Sequence, residues 1–164
     1  ATVTAAEAAE CLALSPDEVV VTTHAPTVAS VGLAFLIVEV ASREALARSR
    51  GDLAVHQRVL KPVHAEGVYA YVRAKGQTDL DARMFAPLDK VPEDPATGSA
   101  TVAALALLAT CEGIAGERHW RAVQGETMGR ISRLYGRTVL EEGRLRSVHV
   151  GGGAVEVMRG TLSV

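Results

Sequence analysis

The chain is 164 residues long, a length suited to one domain with a substantial core, since a chain of this size hides roughly two thirds of its unfolded surface. Its 17 basic and 19 acidic side chains leave a net charge of -2, which argues against the basic face that a nucleic-acid partner requires. Apolar residues at 48% and charged residues at 22% exclude disorder, and an aromatic content of only 4% means that the core is built from Ala, Val and Leu.

Cys11 and Cys111 form no CxxC or Cys/His spacing, so a structural metal site is not expected. A disulfide between them is formally open, but two reduced, buried thiols in a cytoplasmic protein are the simpler expectation. The start carries acids and no basic n-region, unlike a signal peptide. The uncharged stretch Pro95 to Cys111 is too short and too rich in Ala to span a bilayer. The first residue is Ala1, so either an initiator was removed or the chain is part of a longer polypeptide.

In chain order, Thr4 to Leu14 reads as a helix, with Thr4 and Glu7 as a capping box. Ser15-Pro16-Asp17 stops it, and Val19 to Val21 reads as a short strand. Ala25-Pro26 is a turn, and Leu33 to Val40 is a strand buried on both faces. Ser42 to Leu60 reads as two short helices broken at Gly51-Asp52. Strands follow at Gly67 to Arg73 and Arg83 to Ala86, then a loop from Leu88 to Pro95. Gly98 to Cys111 is a helix ending at Gly113. The remainder reads as strands at Trp120 to Gln124, Arg133 to Leu140, Arg144 to Val150 and Ala154 to Met158, with turns at Glu142-Gly143 and Gly151-Gly152-Gly153.

The helix GSATVAALALLATC carries no charge on any face. A helix that is apolar all round must be surrounded. An α+β fold is therefore expected, with a mixed or antiparallel sheet wrapped around this central helix and its alanines admitting close strands. An ordinary core helix between two layers is the plainer alternative.

Glu93-Asp94-Pro95-Ala96-Thr97-Gly98-Ser99-Ala100 leads into that helix. The first amides of a helix lack partners and the dipole makes them attractive to an anion, so a carboxylate ligand fits there. Asp94 then stands at the rim as an acceptor or proton carrier, and Thr97 or Ser99 can cap the helix. The bland reading is a normal N-cap with an acidic turn. Ser99 lacks the glycines of a nucleophile elbow, so an acyl or phosphoryl transferase is poorly supported. No P-loop is present, and no helix pattern follows Gly151 to Gly153 as a dinucleotide site requires.

The run Arg83-Met84-Phe85-Ala86-Pro87, the octet EDPATGSA over 93–100, Gln124-Gly125 with Met128-Gly129-Arg130, and Val148-His149-Val150-Gly151-Gly152 with Gly160 occur in one order. Together they resemble the second half of the PhzF-like isomerases of phenazine biosynthesis. The resemblance implies a fold related to diaminopimelate epimerase, with two lobes, each a sheet around a central helix, and the active site between them. It implies cofactor-independent movement of a proton on a small amino or hydroxy acid. By motif, Asp94 and Ser99 become the catalytic residues of this lobe. The amides at Thr97, Gly98 and Ser99 hold the substrate carboxylate, and Gly125 lines the same cleft. The family's first lobe, with its catalytic Glu and its GNP-type and NxSET-type stretches, has no counterpart here.

The whole chain, 1–164, is thus expected to be a single domain equivalent to the second lobe: a truncated product of a longer protein, or one half of a split enzyme, inactive alone. The alternative is a binding or structural module that dimerises through the exposed lobe interface. No pattern ties Glu66 or Glu126 to the site. The five histidines read as surface or satisfied residues, with His64 and Glu66 the one pair worth testing. Trp120 reads as core. Arg43, Arg48, Arg50 and Arg58 read as solvated helix faces, and Arg83 and Arg130 either neutralise an acidic substrate or pair structurally.

Overall fold

The computed structural model describes residues 2–74 and 76–162; Ala1, where the chain begins, lies outside them. The elements in order are α1 (Ala5–Cys11), β1 (Val19–Val20), β2 (Thr27–Ser30), β3 (Ala34–Val40), α2 (Arg43–Arg48), α3 (Leu53–Val59), β4 (Gly67–Arg73) and β5 (Leu80–Ala86). Then come β6 (Val91–Asp94), α4 (Gly98–Glu112), β7 (Gly116–Gln124), β8 (Ser132–Glu141) and β9 (Arg144–Gly152). The fold is α+β, as expected.

One mixed sheet runs β1-β3-β4-β5-β7-β8-β9, with β2 added to β3 and β6 added to β5. The β3–β4 and β5–β7 pairs are parallel and the others antiparallel. On one face α4 packs among Phe35, Ile37, Tyr69, Tyr71, Trp120 and Leu134. On the other, α1, α2 and α3 cover Leu36, Val38, Val68 and Ala70. The apolar helix is therefore enclosed by the curved sheet. Leu105 shows how close the approach is: a Cβ on Gly136 of β8 would lie 2.1 Å from its Cδ1.

The strands missed or shortened in the sequence have physical reasons. Strand β5 is buried along its whole length although it carries Asp81 and Arg83; its charges broke the hydropathy signal, and each is matched by a partner from another element. β6 was expected as loop because Pro92 interrupts it, yet a proline is tolerated on a short edge strand. β2 sits just after the Ala25-Pro26 turn, and its TVAS sequence is only half-buried. β9 continues through Gly151 and Gly152, where a turn was expected. Ala154 to Met158 forms no strand: the segment has the β-branched residues but pairs with no neighbour among the described residues.

The Thr4–Glu7 capping box is present in both directions. Cys11 is buried, and burial pushes its thiol up to about 12. Cys111 corrects the expectation of two buried thiols: it is exposed, in the last turn of α4. No helix of the described residues is long and apolar enough to cross a membrane.

Buried His56 shares its Nε2 with the Cys11 carbonyl at 2.9 Å, while Nδ1 finds no partner. A carbonyl only accepts, so Nε2 carries the proton, and a buried Nδ1 without a partner carries none, which leaves the ring neutral. Burial lowers the pKa of this ring. Above the ordinary value near 6.5 neither folded nor unfolded chain binds the proton. Below it the unfolded chain does so first, and stability falls by about 1.4 kcal/mol per pH unit until the native ring also titrates. Urea unfolding at pH 7 and pH 5 checks this. His56→Gln, which keeps a donor for the Cys11 carbonyl, is expected to narrow the difference; an unchanged difference would mean that His56 does not set it.

Candidate active site

The site forms where β5 changes neighbours. β6 pairs with the later part of β5, Asp94 lying opposite Met84, and β7 pairs with the earlier part, Gln124 lying opposite Ala82. The two strands meet end to end along one edge, and α4 starts in the gap. This brings Asp94, Thr97 and Gln124 together although Gln124 is 30 residues from Asp94.

Gln124 is fully buried. Its Oε1 accepts from the Thr97 backbone N–H at 3.2 Å, and its Nε2 donates to the Asp94 carbonyl at 2.5 Å and the Thr97 Oγ1 at 3.0 Å. Thr97 Oγ1 in turn donates to Asp94 Oδ2 at 2.5 Å. Thr97 occupies the N-cap position of α4 but does not cap it. The N-caps of α1, α2 and α3 all do: Thr4, Ser42 and Asp52 accept from Glu7, Ala45 and Val55 respectively. Among the described residues nothing accepts from the N–H groups of Gly98 and Ser99, so α4 starts with open donors and the positive end of its dipole. The Thr97 amide, expected to hold a carboxylate, is instead spent on Gln124, and the open amides begin one residue later.

Beside this start lies a cleft of about 340 Å³ lined by Asp94, Thr97 and Ser99. Its apolar wall includes Phe35, Met84, Ala86 and Val91, and its rim carries Glu66 and Asp89. Ser99 is exposed, with its hydroxyl free of partners among the described residues. Gly98 touches the cleft on the other side of the helix start, about 570 Å³, where β8 begins and β9 ends. Its missing side chain leaves Val150 only 3.4 Å from an added Cβ.

Gly125 does not line the cleft with Asp94. It has φ +79°, and a Cβ there would lie 2.3 Å from the Arg130 carbonyl and 2.9 Å from that of Pro95. It supports the signature loop from beneath. Glu66, which no sequence pattern tied to the site, reaches the rim because β4 starts parallel to β3, with the Glu66 N–H on the Ala34 carbonyl at 2.8 Å. His64 is exposed, and Glu126 borders a different hollow near Arg43. Arg130 is exposed.

Arg83 is buried and structural. It grips Glu93 through Nε and Nη2 at 2.8 and 2.7 Å, and its Nη1 donates to the carbonyls of Leu46, Ala47 and Ser49. Glu93, the first residue of the octet, is thereby a support rather than a reacting group. Tyr69, buried and pushed up to about 12 by desolvation, stays neutral and meets the Thr101 hydroxyl at 3.2 Å. Thr101 donates to the Thr97 carbonyl at 2.9 Å, which fixes the first turn of α4 to β4. Among the described residues no three His, Cys, Asp or Glu side chains converge to hold a metal ion.

The family model for phenazine biosynthesis-like proteins matches residues 1–160. An uncharacterized isomerase of Mesorhizobium japonicum is 32% identical over 93% of this chain and 53% of its own length. An uncharacterized isomerase of Deinococcus radiodurans is 43% identical over 89 residues, 28% of its length. Among solved structures, a predicted epimerase from Pseudomonas aeruginosa superposes with a TM-score of 0.69 at 31% identity, covering 93% of this chain and 50% of that one. A PhzF-family phenazine biosynthesis protein of Bacillus anthracis, at 20% identity, shares the fold with a TM-score of 0.81 over 91% of this chain and 52% of its own. The chain spans at most about half the length of the curated relatives it matches. On the match across nearly its whole length, this chain belongs to the PhzF-like, phenazine biosynthesis-like isomerase family.

Proposed function

We propose that the chain is one lobe, equivalent to the second, of a cofactor-independent isomerase that shifts a proton on a small amino or hydroxy acid. The observation that carries the reading is the uncapped start of α4, with the Gly98 and Ser99 amides open beside the Asp94 carboxylate. The substrate carboxylate docks on those amides, and the Ser99 hydroxyl donates to it or to a neighbouring hydroxyl, or accepts from a neighbouring ammonium. Asp94 Oδ2 is occupied by Thr97, which leaves Oδ1 to take or deliver the proton. The second proton-carrying group comes from the other lobe of the parent protein, so this chain alone does not turn over.

Deuterium incorporation from heavy water, followed by mass spectrometry over a panel of amino and hydroxy acids, tests the reading in the two-lobe parent. Asp94→Asn, which keeps the shape and removes the proton carrier, is expected to slow incorporation about 10²- to 10⁴-fold. Wild-type rates in Asp94→Asn would sink it.

A second reading rests on the tail. Val155, Val157, Met158 and Leu162 are 84–89% exposed, an apolar run that a folded chain seldom leaves in water. In this reading the chain is a non-catalytic module that self-associates. Light scattering at about micromolar concentration, where ordinary interfaces hold, is expected to give a dimer, and Val155→Lys with Val157→Lys a monomer. A monomeric wild type would remove this reading.

A further inference from the structure

We infer that Gln124 is a positioning residue that keeps the start of α4 open, an inference that rests on the reading of that start as a carboxylate site. The orientation of its amide is forced by two backbone groups. The Thr97 N–H can only donate and the Asp94 carbonyl can only accept, so Oε1 faces the first at 3.2 Å and Nε2 the second at 2.5 Å. The remaining Nε2 proton then points at Thr97 Oγ1. That hydroxyl, already accepting from Gln124, sends its own proton to Asp94 Oδ2.

The consequence is a diverted cap. A threonine at an N-cap ordinarily turns its oxygen onto an amide of the first turn, as Thr4 does in this chain. Thr97 has the same chemistry and the same position, but its ψ is 91° against 161° at Thr4. Gln124 holds both its backbone and its hydroxyl on the Asp94 side. One buried amide therefore does two things: it leaves the helix amides free for an anion, and it fixes one oxygen of the carboxylate so that the other faces the cleft. Glutamine suits the task because it supplies one acceptor and two donors without a charge that would compete with Asp94.

Gln124→Met keeps the volume and removes all three bonds. In its crystal structure, Thr97 Oγ1 is expected to leave Asp94 and turn onto the Ser99 or Ala100 amide. Acetate serves as the probe, read through the amide resonances of Gly98 and Ser99. Its affinity is expected to fall about fivefold to tenfold, the usual worth of an N-cap. Adding Thr97→Ala in the same background removes the cap and restores acetate binding, a rescue that a purely structural role would not give. Should Gln124→Met not fold, Gln124→Glu keeps the shape but presents an acceptor to Thr97 Oγ1 in place of a donor, and the hydroxyl is expected to leave Asp94 for the introduced carboxylate. A Thr97 hydroxyl that stays on Asp94 in the folded variant overturns the inference. If acetate does not bind the wild type, the carboxylate reading fails, and the orientation of Thr97 alone decides the role of Gln124.

Discussion

Arg83→Ala is expected to destabilise the fold by about 3–5 kcal/mol, the cost of breaking a buried ion pair from one side. Arg83 is 6% exposed, and its removal leaves the half-buried Glu93 carboxylate without a cation. It also strips a donor from the three carbonyls, those of Leu46, Ala47 and Ser49, at the end of α2. Its guanidinium lies 4.8 Å from the centre of the Phe85 ring, so packing is lost as well. Urea unfolding measures the loss, and a double-mutant cycle with Glu93→Gln is expected to show strong coupling. A loss below about 1 kcal/mol, typical of an exposed pair, would mean that the pair is not the clamp described. The consequence reaches the site: Glu93 also accepts from Thr127 at 3.3 Å, so the clamp ties α2, the octet and the 126–128 turn together.

Gly125→Ala is expected to cost about 2–4 kcal/mol, combining strain at positive φ with overpacking against backbone. The contacts at 2.3 and 2.9 Å are to carbonyl oxygens of Arg130 and Pro95, which cannot swing aside as a side chain would. Moving Arg130 also breaks its N–H bond to the Gly125 carbonyl, 3.0 Å long. Gly129 supplies the control. It has φ +68° but nothing within 4 Å of an added Cβ, so Gly129→Ala is expected to cost only about 1–2 kcal/mol, the left-handed backbone penalty alone. Equal losses at the two positions, by thermal or urea unfolding, would refute the close approach beneath the loop.

The sequence showed most clearly what short-range patterns encode. The uncharged α4, the capping box at Thr4 and the β8–β9 hairpin were legible because each depends on residues near one another in the chain. The enclosure of α4 followed from its lack of a polar face. What short-range patterns do not encode depends on pairing at long range. Asp81 and Arg83 made β5 look polar until Arg43 and Glu93 arrived from elsewhere. Val155 and Val157 looked like a strand, yet a strand needs a neighbour. At the site, the octet pointed to Asp94, Thr97, Gly98 and Ser99, and the fold places all four at one helix start. The role of Gln124 was invisible because glutamine carries no charge and its partners lie 27 and 30 residues away. Its place directly before Gly125, which must be glycine for the chain to turn beneath Pro95, was the one available signal.

A titration of this chain with acetate, followed through its backbone amide resonances, reads the open start of α4 directly. Saturable shifts concentrated at Gly98 and Ser99 are expected, in about the millimolar range of a small anion on one half of a site. Shifts that leave those two amides unmoved and gather instead at the exposed Arg121 and Arg133 on the outer face of β7 and β8 would contradict a carboxylate site at that start.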